Sequence, residues 1–408
     1  MRFLIVSRSF PENLATDIHG VFKRFKMLLD AIKEIAEIDL LYYVPPGTNI
    51  SPFSVAQLKR SISTHFEAPI RLFLCERSDN RNLNSKFIGY GLGAFSIVRQ
   101  PAYSNTAGAV QVRAFEACLH YNPDAVFVHR LGSMCPLLKT RKALPPVFFD
   151  LDDIEHVAFK RGLRYLGSMR SKLLNMLLFP ALYRGEYKAI QLAHRTFVCS
   201  DNDLEYLTHL WRLKGVVKIP NAVEIPSVQP ISSEQTLLFL GTYQYKPNID
   251  AAEYLIQEVW PLVHKELPKA TLIIAGSSPN RISTYRSDAK SVRFSGFVED
   301  LEGLYRQSRV VCAPILSGSG TRVKILEAAA HGKPIVSTKI GAEGLQMRDD
   351  YDIMIRDDPK SFADACIRLL NDHDLCKKFG AAARAVVLKK YDKTKIKRMI
   401  QEIIKESI

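Results

Sequence analysis

Short apolar runs alternate along this chain with stretches whose apolar residues recur at helical spacing. In the first half the runs fall at 3–6, 38–43, 125–128, 147–150 and 196–199, and in the second at 236–240, 271–275, 292–295, 310–314, 335–337 and 353–355. Strands of this kind, separated by helical segments, predict parallel sheets crossed by helices. Each half is long enough to form its own doubly wound sheet. Between the halves, Pro220, Pro226 and Pro230 stand in a stretch without periodicity, which reads as a stiff connector. The expected division is therefore 1–222, 223–390 and a terminal helix over 391–408, where Ile396, Met399, Ile400, Ile403 and Ile404 form an apolar stripe. Residues 76–106, rich in Asn, Ser, Gly and Arg, read as a long loop.

Composition narrows the picture. The chain has 408 residues, 47% of them hydrophobic, enough for two cores and too apolar for a disordered protein. A net charge of +14 and a pI near 9.4 suit anionic partners. Nucleotides, anionic lipid surfaces and nucleic acid all fit this charge; of these, nucleic acid is not the partner expected once the motifs below are weighed. Cys75, Cys118, Cys135, Cys199, Cys312, Cys366 and Cys376 are odd in number and scattered, without a Cys-x-x-Cys pair, so reduced thiols in a cytosolic setting are expected. The opening Arg2 to Ser7 run reads as a first buried strand, too short for a signal peptide or a membrane span.

Candidate chemistry gathers at Ser317-Gly318-Ser319-Gly320-Thr321-Arg322-Val323-Lys324-Ile325-Leu326-Glu327, where a glycine-punctuated loop follows a strand and runs into a helix. A helix start carries partial positive charge from unpaired N–H groups, so Arg322 and Lys324 in its first turn repel it unless an anion sits there. A phosphate is the natural anion. Gly318, Gly320 and Thr321 would let backbone donors approach it, Arg322 would fork onto its oxygens, and Lys324 would add a point charge. Earlier, Gly20 precedes Phe22, Phe25, Leu28 and Leu29 at helical spacing and opens a second helix able to face an anion, or a plain turn. Lys160, Arg161, Arg164, Arg170, Lys172 and Arg184, beside Leu173, Leu174, Met176, Leu177, Leu178 and Phe179, make 159–184 a candidate for lying on anionic lipid. Packing on a core with a solvated basic face is the equal alternative.

These residues converge on a family. Leu238-Phe239-Leu240-Gly241, Ala275-Gly276, Phe294-Ser295-Gly296-Phe297-Val298, the Gly320 to Ala328 run, Gly332-Lys333-Pro334-Ile335-Val336-Ser337-Thr338 and Gly341-Ala342-Glu343-Gly344-Leu345 resemble the family 4 glycosyltransferases of group 1 type. The resemblance covers most of 236–391; the first half matches more loosely, through its opening strand, the loop from Pro11 to Gly20, and Ile219-Pro220-Asn221. It implies a GT-B fold, with two Rossmann-like doubly wound domains facing each other across a cleft. It also implies a retaining transferase of the EC 2.4 class that moves a sugar from a nucleotide sugar, held by the C-terminal domain, to a glycan or lipid-linked acceptor held by the N-terminal domain. The last helix would cross back to the N-terminal domain.

The resemblance places Glu327 on the donor ribose, Gly20, Gly318, Gly320, Thr321, Arg322, Lys324 and, secondarily, Lys246 on the diphosphate, and His129 in a catalytic position near the donor sugar. It departs at Ser319, which stands near the donor sugar where the family often has a carboxylate, and at Thr242, where a cation often follows the first glycine. No metal or other cofactor is implied, and Asp150-Leu151-Asp152-Asp153 reads as a strand-end turn or acceptor contact. The implied setting is cytoplasmic, peripheral on the inner face of the membrane, in surface polysaccharide or glycolipid biosynthesis. A nucleotide-sugar epimerase of similar fold and a non-catalytic nucleotide-sugar-binding relative are the alternatives.

Overall fold

The computed structural model describes residues 1–9, 14, 20–78, 91–163, 168–285, 291–318 and 320–408. Most of the Pro11 to Gly20 loop, part of 76–106, Arg164 and Ser319 therefore lie outside the described residues. The chain divides into two compact units, Met1–Pro220 with Lys397–Ile408, and Asn221–Ile396.

In the first unit the elements run β1 (Arg2–Ser7), α1 (Gly20–Ile32), β2 (Glu37–Val44), α2 (Pro52–His65), β3 (Ile70–Glu76), α3 (Ala109–Leu119), β4 (Ala125–His129), α4 (Leu131–Lys139), β5 (Val147–Asp152), α5 (Glu155–Gly162), α6 (Met169–Leu192), β6 (Arg195–Val198), α7 (Asp201–Trp211) and β7 (Val216–Lys218). The strands form one sheet in the order β3-β2-β1-β4-β5-β6-β7, all parallel. Helices covering both faces of such a sheet explain why Phe3, Leu4, Ile5 and Val6 are all fully buried. On α1, Phe22, Phe25, Leu28, Leu29 and Ile32 turn into the core. Serines at the mouths of α2, α6 and α7 accept a hydrogen bond from the backbone N–H three residues on, which fixes those starts. The stretch expected as a long loop holds short helical turns at Ile97–Arg99 and Ser104–Thr106.

The second unit continues with β8 (Thr236–Leu240), α8 (Lys246–Tyr254), a π-helical turn (Leu255–Val259), α9 (Trp260–Glu266), β9 (Thr271–Ala275), β10 (Val292–Gly296), α10 (Leu301–Gln307), β11 (Val310–Ala313), α11 (Val323–Ala330), β12 (Ile335–Ser337), β13 (Met354–Ile355), α12 (Pro359–Asn371) and α13 (His373–Lys390). Its sheet is parallel in the order β10-β9-β8-β11-β12-β13. From β8 the chain builds outward one way through β9 and β10, then returns to β11 on the other side. That reversal makes the C-terminal ends of β8 and β11 a topological switch point, where open α/β sheets bind ligands. In the first unit the equivalent reversal lies between β1 and β4.

The last helix, α14 (Lys393–Lys405), buries Ile396, Ile400 and Ile404. Within the first unit its Lys397 Nζ pairs with Glu34 at 2.7 Å, and the Gln401 amide donates to the Ala31 carbonyl at 3.1 Å.

Candidate active site

After β11 the chain leaves the switch point of the second unit through Pro314 and reaches Gly318 at φ +101° and Gly320 at φ +77°. Both are left-handed positions that favour glycine. Gly318 is also hemmed in: a β-carbon there would stand 3.0 Å from the Tyr245 hydroxyl, 3.3 Å from Arg322 Nη2 and 3.6 Å from Pro247 Cγ. The first turn of α8 and the mouth of α11 thus meet on this glycine. Thr321 is buried, and its hydroxyl accepts a 2.6 Å hydrogen bond from Asn221 Nδ2, which ties the loop to the start of the unit.

The cations are arranged differently from the sequence expectation. The helix begins at Val323, so Arg322 is its N-cap, with non-helical backbone (φ −86°, ψ 96°), rather than a residue of the first turn. Lys324 is inside that turn. Its ammonium donates to Asn248 Oδ1 at 2.8 Å and lies 4.6 Å from the centre of the buried Phe239 ring. Lys246 opens α8 but pairs with Asp250 at 2.5 Å, one turn along its own helix, with its side chain 72% exposed. That hydrogen bond raises the Lys246 pKa.

The β8 and β9 ends approach closely beside this loop. Gly276 has φ +131°, and a β-carbon on it would fall 1.6 Å from the Gly241 carbonyl oxygen, so no side chain fits. One turn into α11, Glu327 is half-buried. Burial, reinforced by the Glu327 charge, pushes the Tyr305 phenol well above its ordinary value. Tyr305 stacks on His331, at the C-terminal end of α11, with ring centres 4.2 Å apart. Burial, helped by Lys333 and Arg384, lowers the His331 pKa to about 4, so this imidazole is neutral.

In the first unit, His129 ends β4 at the other switch point and is 1% exposed. Its Nδ1 lies 3.0 Å from the Ser7 hydroxyl at the end of β1, and its ring is 4.6 Å from that of Phe25. Gly20 is exposed, at the start of α1 as described. Asp150 is fully buried and takes Arg24, a residue sequence reading did not single out: Nη2 and Nε donate to Oδ1 at 2.7 and 2.9 Å. Arg24 also donates to the Ile219 carbonyl at 2.8 Å. Burial opposes charge on this guanidinium, but Asp150 and Asp152 outweigh it and raise its pKa. Beside the pair, Arg130 (φ +65°) stands 3.6 to 3.9 Å from Glu155, Asp153 and Asp152.

Along α6, Leu178, Ala181 and Leu182 are buried, while Met169, Leu173, Met176 and Leu177 are exposed beside Arg170 and Arg184. Gly93 sits against Leu178, whose Cδ2 would lie 2.9 Å from a β-carbon there, and the nearby Leu92 and Phe95 are exposed too, Phe95 by 82%. Among the described residues, no helix is long and apolar enough to cross a membrane.

The comparisons with known proteins bear on the fold and the family. Residues 234–372, which include both loops at the second switch point, match the family Glycosyl transferases group 1. An uncharacterized 44.6 kDa protein in the cps region of Klebsiella pneumoniae is 27% identical over 45% of this chain and 50% of its own length. Phosphatidyl-myo-inositol mannosyltransferase of Mycobacterium leprae is 26% identical over 48% of this chain and 56% of its own. The chain thus spans about half the length of the curated relatives it matches. Among solved structures, sucrose-phosphate synthase from Thermosynechococcus elongatus superposes with a TM-score of 0.70 at 15% identity, covering 99% of this chain and 98% of that one. Anabaena HepE in complex with UDP-glucose does so at 0.63 and 14%, over the full length of both. The chain has the GT-B fold and is related, through residues 234–372, to the group 1 glycosyl transferases.

Proposed function

We propose that this protein is a retaining glycosyltransferase that moves a sugar from a nucleotide sugar to a glycan or lipid-linked acceptor in surface polysaccharide or glycolipid biosynthesis. The observation that carries the reading is the loop at the second switch point: two left-handed glycines, a capping arginine and a first-turn lysine at one helix mouth. A donor diphosphate fits this mouth, since backbone N–H groups and fixed cations there can take up the charge that grows on the leaving group without reorganising. Glu327, one turn further on, accepts from the donor ribose hydroxyls, as a carboxylate can from two at once. The HepE complex holds UDP-glucose, which supports a nucleotide-sugar donor.

In the proposed reaction the bond from the anomeric carbon to the diphosphate breaks, leaving an oxocarbenium-like centre. The acceptor hydroxyl oxygen bonds to the anomeric carbon on the same face while the departing phosphate takes its proton, so no protein nucleophile is needed. His129 is proposed to stand near that centre, held by Ser7 and Phe25, and Ser319 near the donor sugar. The first unit holds the acceptor. A lipid-linked acceptor is supported by the Mycobacterium leprae relative, a phosphatidyl-myo-inositol mannosyltransferase, and by the exposed apolar and basic side chains of 168–184, which suit a cytoplasmic protein resting on anionic lipid.

A thermal-shift panel of nucleotides and nucleotide sugars tests the reading, because a ligand of the folded state raises apparent stability with affinity, by about 2.7 kcal/mol at a hundredfold excess over Kd. Nucleotide release that requires an added acceptor is the expected turnover. Arg322→Ala and Glu327→Ala are expected to lose the shift while remaining folded. Full binding and turnover in both variants overturns the assignment, and tight binding without turnover assigns the protein to the non-catalytic class.

A further inference from the structure

Asn248 lies in the first turn of α8, and its side-chain amide is bonded at both ends. Nδ2 donates to the Thr242 carbonyl at 2.9 Å, and Oδ1 accepts from the Lys324 ammonium at 2.8 Å. A carbonyl on one side and an ammonium on the other allow only one orientation of this amide. Gly241 makes room for it, since a β-carbon there would press on Asn248 Cγ, Cβ and Nδ2 at 3.2 to 3.3 Å. The Phe239 ring supports the same ammonium from another side, 4.6 Å from its centre. Seventy-six residues separate Asn248 from Lys324, so the first turn of α8 fixes a cation in the first turn of α11.

We infer that Asn248 is a positioning residue: as a neutral partner it holds the Lys324 ammonium in one place at the mouth of α11, where the diphosphate is proposed to bind. This inference rests on the diphosphate reading of that mouth. A flexible lysine stem pays rotamer entropy to hold one geometry, and a pre-set ammonium has less left to lose when a ligand arrives. The chemistry of the tether matters as much as its reach. An aspartate would have nearly the same shape, but it would pair with the lysine as Asp250 pairs with Lys246 and compete with an incoming anion. A neutral amide oxygen orients the cation without adding a countercharge of its own.

The experiment is a double-mutant cycle of Asn248→Ala and Lys324→Met in the full chain, titrated with UDP and GDP and, in parallel, with uridine and guanosine. Asn248→Ala is expected to weaken the better-bound diphosphate by about tenfold, equivalent to about 1.4 kcal/mol, with its nucleoside unchanged within about twofold. In the Lys324→Met background the same substitution is expected to change diphosphate affinity by less than about twofold. Equal losses for diphosphate and nucleoside, or equal losses in both backgrounds, give Asn248 a purely structural role and overturn the inference while leaving the donor reading intact. Should Asn248→Ala fail to fold, the near-isosteric Asn248→Asp decides: diphosphate binding as tight as in the parent overturns the inference. A parent protein that binds neither diphosphate removes the donor reading and the inference with it.

Discussion

Arg24→Met is the most informative single change in the first unit. Arg24 and Asp150 are 1% and 0% exposed at their side chains. Removing the guanidinium strips the carboxylate of its 2.7 and 2.9 Å donors, leaves the Ile219 carbonyl without its 2.8 Å partner, and takes away the cation 3.5 Å from Asp152. Breaking a buried pair from one side costs about 3–5 kcal/mol, because the remaining charge stays desolvated. For a unit of this size about 1 kcal/mol corresponds to roughly 2–4 °C in melting temperature, so a fall on the order of 10 °C is expected. Differential scanning calorimetry reads the loss, and hydrogen exchange across β4 and β5 locates it in the first unit. The double variant Arg24→Met with Asp150→Leu should recover much of that stability, since an apolar pair of similar volume avoids the desolvation cost. A loss below about 1 kcal/mol, or a double variant no more stable than Arg24→Met, refutes the argument that charge burial sets the cost.

Gly318→Ala forces a β-carbon into a left-handed backbone 3.0 Å from the Tyr245 hydroxyl, a strain of about 1–3 kcal/mol; it should abolish the nucleoside-diphosphate thermal shift, and an unchanged shift would separate loop shape from binding. Lys246→Ala should leave diphosphate affinity within about twofold, as expected for an exposed lysine paired along its own helix, and a tenfold loss on titration would return Lys246 to the diphosphate. His331 is a base whose folded pKa of about 4 lies below its ordinary 6.5, so the unfolded chain binds more protons between those values and stability falls as pH drops through that window. Discounted for partial solvent access, the effect is about 1–2 kcal/mol; melting curves across the window should be flatter for His331→Phe, which keeps a ring on Tyr305.

What could be read in the sequence followed burial. β8 and β9 are continuous apolar runs because helices cover both their faces, and their limits are those expected, 236–240 and 271–275. β7 is three half-buried residues, too short for a period to register. β3, at the sheet edge and mostly half-buried, ran into the polar stretch read as a loop from residue 76. The glycine loop and α11 were legible because they are contiguous in sequence. The Arg24–Asp150 and Asn248–Lys324 contacts were not, since the partners lie 126 and 76 residues apart and only the fold brings them together. The exposed Leu92 and Phe95, close to α6 in space, were hidden for the same reason.

The position of charge in the second unit follows from one glycine-bounded crossing. Gly276 lets the β9 end pass against the Gly241 carbonyl, and Gly241 in turn leaves space for Asn248. With Asn248 at that point, Lys324 has a fixed neutral partner, while Lys246, two residues before Asn248, turns outward to Asp250. A cation expected on the β8 loop is thus replaced by a neutral group in the first turn of α8 that directs a cation in the first turn of α11. If this is how the diphosphate charge is met, transplanting the cation should fail: Thr242→Arg, which places a cation directly after Gly241, would set a guanidinium beside an ammonium already in position. Its expected effect on UDP or GDP affinity is less than about threefold, well short of the 1.5–3 kcal/mol of a new charged hydrogen bond. A tenfold gain on titration would show that the loop lacked a cation and that the Asn248–Lys324 arrangement does not stand in for one.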